Sequence, residues 1–194
     1  PNPTKGRNDW YKFILKEYPE QANRMINFGR RNSGISTVAP TGSVSILTQT
    51  TSGIEPLFKP FYTRRKKCNP GEIADYVDQN GVGFREFTVL HPKFKDWCLI
   101  KNPENTKEHL ETLNHKDLQV LFESSPWYGS TSEDIDIDNR IQTQALIQKY
   151  ITSSISSTVN VPVETTKETM SKGYLDAFDL KCKGLTYYRD GSRS

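Results

Sequence analysis

Seven consecutive residues, Ala39-Pro40-Thr41-Gly42-Ser43-Val44-Ser45, carry the strongest local case for chemistry. They close a short β-branched run, residues 34–39, that reads as a buried strand, and lead into residues 44–49, which read as a short helix. A strand that stops at Pro40 and feeds a helix leaves several backbone N–H groups unpaired and pointing one way. The helix dipole adds partial positive charge at the same spot, so the chemistry on offer is phosphate binding. Gly42 permits close approach of an anion, and the hydroxyls of Thr41 and Ser43 add donors. The segment is not a Walker A loop, since GxxxxGK[ST] is absent and no Lys follows. Taken alone it is also the pattern of an ordinary strand-to-helix turn with a serine N-cap.

Other reactive side chains are sparse. Cys68, Cys98 and Cys182 are odd in number and far apart, and His91, His109 and His115 are scattered, so no metal-ligand spacing emerges. This cysteine usage fits a reducing, cytoplasmic setting. Cys68-Asn69-Pro70-Gly71-Glu72 reads as a turn, and Cys182 as a small buried hydrophobe. Arg64-Arg65-Lys66-Lys67 is the one basic run and reads as a solvated edge. The carboxylates of Glu133, Asp134, Asp136 and Asp138 precede a helix whose dipole they complement. Tyr187 and Tyr188 are adjacent in a final strand, so one faces each side of a sheet.

The elements that must position these groups follow from periodicity and punctuation. The first segment reads as two helices reset at Pro19 and stopped at Gly29. Residues 57–63 form a strand candidate that Pro60 interrupts, and 64–90 reads as an inserted loop or hairpin turning at Asn80-Gly81. Residues 91–100 and 117–123 read as helices, and 101–115 as charged surface. Ile137, Ile141, Ala145, Ile151 and Ile155 share one helical face with Leu146 and Tyr150 opposite, which predicts a helix covered on two sides. Residues 156–161 read as a strand closed by Pro162. A capping box at Thr165 and Glu168 then opens a helix with Met170, Tyr174, Ala177 and Phe178 buried, and 185–188 form the last strand. Helices alternating with short buried strands predict an α/β fold with a mainly parallel sheet. The strands at 35–39, 157–161 and 185–188 are expected to share one sheet.

The 194 residues hold 26 Lys and Arg against 23 Asp and Glu, a net charge of +3. That excess is too small to make nucleic acid the expected partner. Hydrophobic residues are 34% and aromatics 11%, which describes a folded chain with a thin core. Dependence on a larger partner surface, or continuity with a longer protein, explains such a core. No apolar run is long enough for a bilayer, and the polar start shows no signal-peptide pattern, so no membrane is expected. The first residue is Pro1 and not Met, so the numbering is expected to begin inside a larger coding unit.

Five motifs in order give this pattern a family. Arg31-Asn32-Ser33, Ala39-Pro40-Thr41-Gly42-Ser43, Ser52-Gly53-Ile54-Glu55-Pro56 with Tyr62-Thr63-Arg64-Arg65, Ser157-Thr158-Val159-Asn160-Val161-Pro162, and the run from Cys182 through Tyr187-Tyr188 to Arg193 are similar to ribonucleotide reductase catalytic chains. The similarity is to the C-terminal part of those chains and strongest for the adenosylcobalamin-dependent, class II members. It covers the chain nearly end to end and is weakest between residues 68 and 134.

The resemblance implies the C-terminal part of a ten-stranded α/β barrel, with residues 1–194 lying in a single catalytic domain carrying the insertion at about 64–90. It implies reduction of ribonucleotides to 2'-deoxyribonucleotides, for DNA precursor synthesis, by a cysteine thiyl radical, with adenosylcobalamin as cofactor. Pro40, Thr41, Gly42, Ser43 and Val44 map onto the cradle for the substrate phosphates; several members have Thr where this chain has Val44. The finger-loop pattern Asn-Pro-Cys-Gly-Glu is absent from the 194 residues, so no catalytic residue is assigned in this chain. The radical cysteine is expected on the remainder of the catalytic chain, and that remainder and the ribonucleotide are the expected partners, with a homodimer one assembly the family allows. Two other readings stay open: a class I large-subunit fragment in which Tyr187 and Tyr188 relay a radical, and a stand-alone nucleotide-binding module.

Overall fold

The structure, a computed structural model, describes residues 9–32 and 34–192, so Ser33 and Arg193 of the motifs above lie outside the described residues. In chain order the elements are α1 (Asp9–Glu17), α2 (Pro19–Phe28), α3 (Gly42–Thr48), β1 (Phe61–Lys67), β2 (Tyr76–Val77), β3 (Gly83–Leu90), α4 (Pro92–Lys101), α5 (Lys107–Thr112), α6 (His115–Glu123), α7 (Ile137–Gln148), β4 (Thr158–Val161), α8 (Lys167–Asp179) and β5 (Thr186–Arg189). They form two compact units, one from residues 1–42, 52–55 and 135–194 and the other from 43–51 and 56–134.

In the first unit, Pro19 opens α2, where a missing N–H costs nothing, and Gly29 ends it at φ +75°. Strands β4 and β5 pair in parallel, Thr158 opposite Thr186 through Val161 opposite Arg189, with α8 as the crossover. Val159 and Val161 are buried and alternate with the half-buried Thr158 and Asn160, so one face of this small sheet is apolar. The segment 35–39 does run parallel beside the chain leading into β4, but as a single bridge between Val38 and Ile155 and not as a strand. The reason is local competition from hydroxyls. Thr152 Oγ1 accepts the N–H groups of Ile35 and Ser36 at 2.8 and 2.9 Å, and Thr37 Oγ1 donates to the Ser154 carbonyl at 2.9 Å. These strands form no closed barrel.

Two further expectations for this unit are corrected. Helix α7 ends at Gln148, so Ile151 and Ile155 are not on it, and Leu146 and Tyr150 are exposed instead of covered. Helix α8 is capped by Thr166, whose side chain accepts the Thr169 N–H, and not by Thr165. Its buried positions are Gly173 and Ala177, while Tyr174 and Phe178 are exposed. Small residues face the sheet because an aromatic of β5 fills the space there.

In the second unit, β1 and β3 pair antiparallel over seven positions, Phe61 opposite Leu90 through Lys67 opposite Phe84, and β2 adds two more pairs on β3. The stretch read as an inserted loop or hairpin is thus a three-stranded sheet in the order β1-β3-β2. Pro60 delays β1 to Phe61, and its carbonyl accepts the His91 N–H at 2.7 Å. The Asn80-Gly81 turn is drawn tight by Asp78, whose Oδ1 accepts from Asn80 N and Val82 N, with Gly81 at φ +77°. Behind the sheet Phe61, Leu90, Phe94, Cys98, Leu110, Leu118 and Phe122 form one buried cluster. Leu110 corrects the reading of 101–115 as surface: one fully buried leucine anchors α5 although its neighbours are charged.

Candidate functional site

At the segment expected to bind phosphate, the chain turns directly into a helix, two residues earlier than the sequence pattern predicts. Helix α3 begins at Gly42, directly after Pro40 and Thr41, and no acidic residue occupies its first turn. The first N–H groups of any helix lack a carbonyl four residues back, so they face outward along its axis. Gly42, Ser43 and Val44 are exposed, Thr41 is half-buried, and a Cβ on Gly42 would meet no described residue within 4 Å. The Thr41 side chain is already in use as an acceptor: Gly53 N donates to its Oγ1 at 2.9 Å. The hydroxyl proton of Thr41 remains available for donation.

Gly53 belongs to the Ser52-Gly53-Ile54-Glu55-Pro56 motif, and its φ of +54° lies in the left-handed region that favours glycine, whereas a Cβ there would make only ordinary contacts, 3.4 Å from Val38 Cγ1 and 3.6 Å from the Ala39 carbonyl. Two residues on, Glu55 Oε1 accepts the Thr158 N–H at 2.6 Å. The carbonyl of the same Thr158 accepts from Arg140 Nη2 at 3.0 Å, and Ser157 Oγ lies 3.3 Å from that nitrogen. Arg140 is buried; burial pulls its guanidinium pKa down and the charge of Glu55 opposes that pull.

Arg140 heads a row on the buried face of α7 that pattern reading passed over. Gln144 Nε2 donates to the Gly184 carbonyl at 2.5 Å, and Gln148 Nε2 donates to the carbonyls of Ile151 and Ser153 at 3.0 and 2.9 Å. Three polar side chains spaced four apart thus fix the chain ends that enter β4 and β5. The signal was present as that spacing, but polar residues at i, i+4 and i+8 normally announce a solvent face.

The two tyrosines of β5 face opposite sides of the sheet. Tyr187 lies against α8, its ring edge-on to Tyr174 with centroids 5.1 Å apart. Its hydroxyl is buried beside Gly173 and has no hydrogen-bond partner among the described residues. Burial, ahead of the neighbouring Tyr174 and two carboxylates, pushes this phenol's pKa up. Tyr188 pairs with Asn160 across the ladder, so both lie on the face away from Tyr187. The alternation of burial in β4 singles out Asn160, which local sequence pattern does not.

The cysteines are all free thiols. Cys98 is 1% exposed, and burial pushes its pKa up to about 11; burial raises Cys182 as well. Among the described residues no group of His, Cys, Asp or Glu is arranged to hold a metal ion, and no helix is long and apolar enough to cross a membrane.

The parallel β4-α8-β5 unit is an α/β arrangement, and comparison with known proteins makes the class specific. The family described as "Ribonucleotide reductase, barrel domain" matches residues 5–188, and the chain belongs to that family. It is 31% identical over 164 residues to a vitamin B12-dependent ribonucleoside-diphosphate reductase of Thermoplasma acidophilum, covering 84% of this chain and 20% of that one. A protein of the same description from Mycobacterium tuberculosis H37Rv is 26% identical over 164 residues, 84% of this chain and 21% of its own length. The fold resembles the solved Actinobacillus ureae class Id ribonucleotide reductase alpha subunit, with TM-score 0.54 and 23% identity over 93% of this chain and 32% of that one. The chain spans about a fifth of the length of the curated relatives it matches.

Proposed function

We propose that this chain is the C-terminal portion of the catalytic barrel of a ribonucleotide reductase and supplies the cradle for the substrate phosphates at Pro40, Thr41, Gly42, Ser43 and Val44. The single observation carrying the assignment is the start of α3 at Gly42, exposed, free of acidic side chains in its first turn, and held by the Gly53–Thr41 hydrogen bond. A diphosphate placed there receives backbone N–H groups, the positive end of a helix and two hydroxyls. In this reading the ten-stranded barrel is completed by the rest of the polypeptide, and the β1–β3 sheet is an insertion in that single domain.

The reaction replaces the ribose 2'-hydroxyl by hydrogen after a thiyl radical removes the 3'-hydrogen, and two further thiols supply the reducing equivalents. Cys98 suits neither role, being enclosed with its proton held firmly. This supports placing the radical cysteine and its helpers on the remainder of the catalytic chain. Adenosylcobalamin, when bound, supplies the initiating radical. Its contacts fall on that remainder, and β5 fits such a source because the Tyr187 hydroxyl is enclosed beside Gly173 and turned away from Tyr188. A cytoplasmic setting, a homodimer and the absence of a nucleic-acid partner complete the proposal.

The test is reconstitution with a partner chain carrying Asn-Pro-Cys-Gly-Glu. Ribonucleoside diphosphate, adenosylcobalamin and a dithiol should yield deoxyribonucleotide only when both parts are present. Turnover by neither part nor the pair would remove the assignment, and diphosphate binding by this chain alone, without turnover in the pair, would favour a stand-alone module.

A further inference from the structure

We infer that Glu55 and Arg140 are positioning residues for the phosphate turn, holding the backbone of β4 at the N–H and the carbonyl of Thr158 so that the Ser52–Glu55 loop keeps Thr41 in place. The inference rests on the phosphate-cradle reading above and adds to it residues that do not touch the substrate.

The path is short and made of direct hydrogen bonds. Thr158, the first residue of β4, gives its N–H to Glu55 Oε1 at 2.6 Å and takes Arg140 Nη2 on its carbonyl at 3.0 Å. Glu55 N in turn donates to the Ser52 carbonyl at 3.0 Å, which closes residues 52–55 into one tight turn. Inside that turn Gly53 sits at φ +54° against Val38 and the Ala39 and Ser156 carbonyls, and its N–H points to Thr41 Oγ1 at 2.9 Å. Thr41 therefore takes its position from β4, more than a hundred residues away, and not from α3 alone.

A carboxylate and a guanidinium are suited to this task. Arg140 is buried, and its fork reaches a carbonyl and a hydroxyl that leave it uncompensated in charge; Glu55 provides the opposite charge nearby. Hydrogen bonds to charged partners are stronger than neutral ones, so the two peptide groups flanking the Thr158 Cα are held in one orientation. The consequence for function is preorganisation. With Thr41 fixed, its proton and the following N–H groups are aimed before the phosphate arrives, and little entropy is lost on binding.

The inference is tested in the reconstituted enzyme by measuring the Kd of a ribonucleoside diphosphate for wild type, Ser43→Ala, Thr41→Val, Glu55→Gln, Glu55→Ala and the Thr41→Val/Glu55→Ala pair. Glu55→Ala should weaken binding about tenfold, within the range of couplings carried through packed networks. Glu55→Gln, which keeps an acceptor oxygen, should recover most of the loss. The double variant should bind no worse than the weaker single variant, since both changes break one path. A Glu55→Ala Kd within about twofold of wild type, or fully additive losses in the pair, would overturn the positioning role while Ser43→Ala still lost affinity. Unchanged binding in Ser43→Ala would instead sink the cradle reading and this inference with it. Should Glu55→Ala fail to fold, Glu55→Asp, one methylene too short to keep the bond to the Thr158 N–H, serves with amide exchange of the peptide spanning residues 50–56, which must speed up if Glu55 restrains that turn. Unchanged exchange would equally overturn the role.

Discussion

The Tyr187 hydroxyl occupies the space that a Cβ on Gly173 would need. Helix α8 can therefore lie over β5 only because position 173 has no side chain, and the hydroxyl it covers is left without a hydrogen-bond partner among the described residues. Gly173→Ala should destabilise the protein by about 1–3 kcal/mol through overpacking, against a helix-propensity gain of about 1 kcal/mol. Denaturant unfolding of the reconstituted enzyme measures this. Combining Gly173→Ala with Tyr187→Phe should recover part of the loss, and independent effects in the pair would contradict the contact.

Tyr187→Phe alone should be neutral or stabilising by up to about 1 kcal/mol, because a buried hydroxyl without a partner carries a desolvation cost. Turnover should be nearly unchanged if adenosylcobalamin supplies the radical. Abolished turnover with intact stability would restore the tyrosine relay.

At the turn, Ser43→Ala should weaken substrate binding by about 1–2 kcal/mol, the scale of a lost hydrogen bond to a charged group. Gly42→Val should cost more. Since no described residue lies within 4 Å of a Cβ there, the loss is expected from the ligand's side, with the melting temperature largely unaffected. Titration of both variants with a ribonucleoside diphosphate decides the point, and unchanged affinity in both would remove the cradle.

Cys98, with its pKa pushed up to about 11 from an ordinary 9.0, should resist iodoacetamide at pH 8 until the protein is unfolded. The folded state keeps a proton that the unfolded chain gives up between those values. This group's contribution to stability therefore declines as pH rises from about 9 toward 11. Labelling followed by peptide mass spectrometry, with and without denaturant, reads the first claim; rapid native labelling would contradict the burial.

His91 caps α4 through Nδ1, which accepts the Lys93 N–H at 3.3 Å, and burial first, then the nearby Lys93 charge, lowers its pKa below the usual 6.5. Unfolded chains thus take up the proton first, and stability should fall as pH drops from about 6.5 through the lowered folded value. The proton also removes the capping acceptor. His91→Ala should cost about 1 kcal/mol near neutrality and flatten that pH dependence. A His91 titration by NMR at or above 6.5 would refute the argument.

Much of this protein was written in short-range pattern. The turn into α3 after Pro40, the stop at Gly29, the hairpin at Asn80-Gly81, and β4 ending at Pro162 all follow from what glycine, proline and β-branched residues permit within a few bonds, and the five ordered motifs identified the family. These features depend on steric and hydrogen-bond preferences that a residue expresses wherever it sits.

What only the tertiary structure decided are the relationships between residues far apart in the chain. Residues 35–39 have strand-forming types, yet Thr152, 116 residues from Ser36, takes the N–H groups that a ladder would use. Arg140, Gln144 and Gln148 look like a wet helix face and are buried because strand-end carbonyls await them. Alternation placed Tyr187 and Tyr188 on opposite sides, but Gly173 chose which one goes under α8. Glu55 acquired its partner only when β4 arrived beside it. A buried polar group must be satisfied by whatever the fold brings near, and no local propensity encodes that partner.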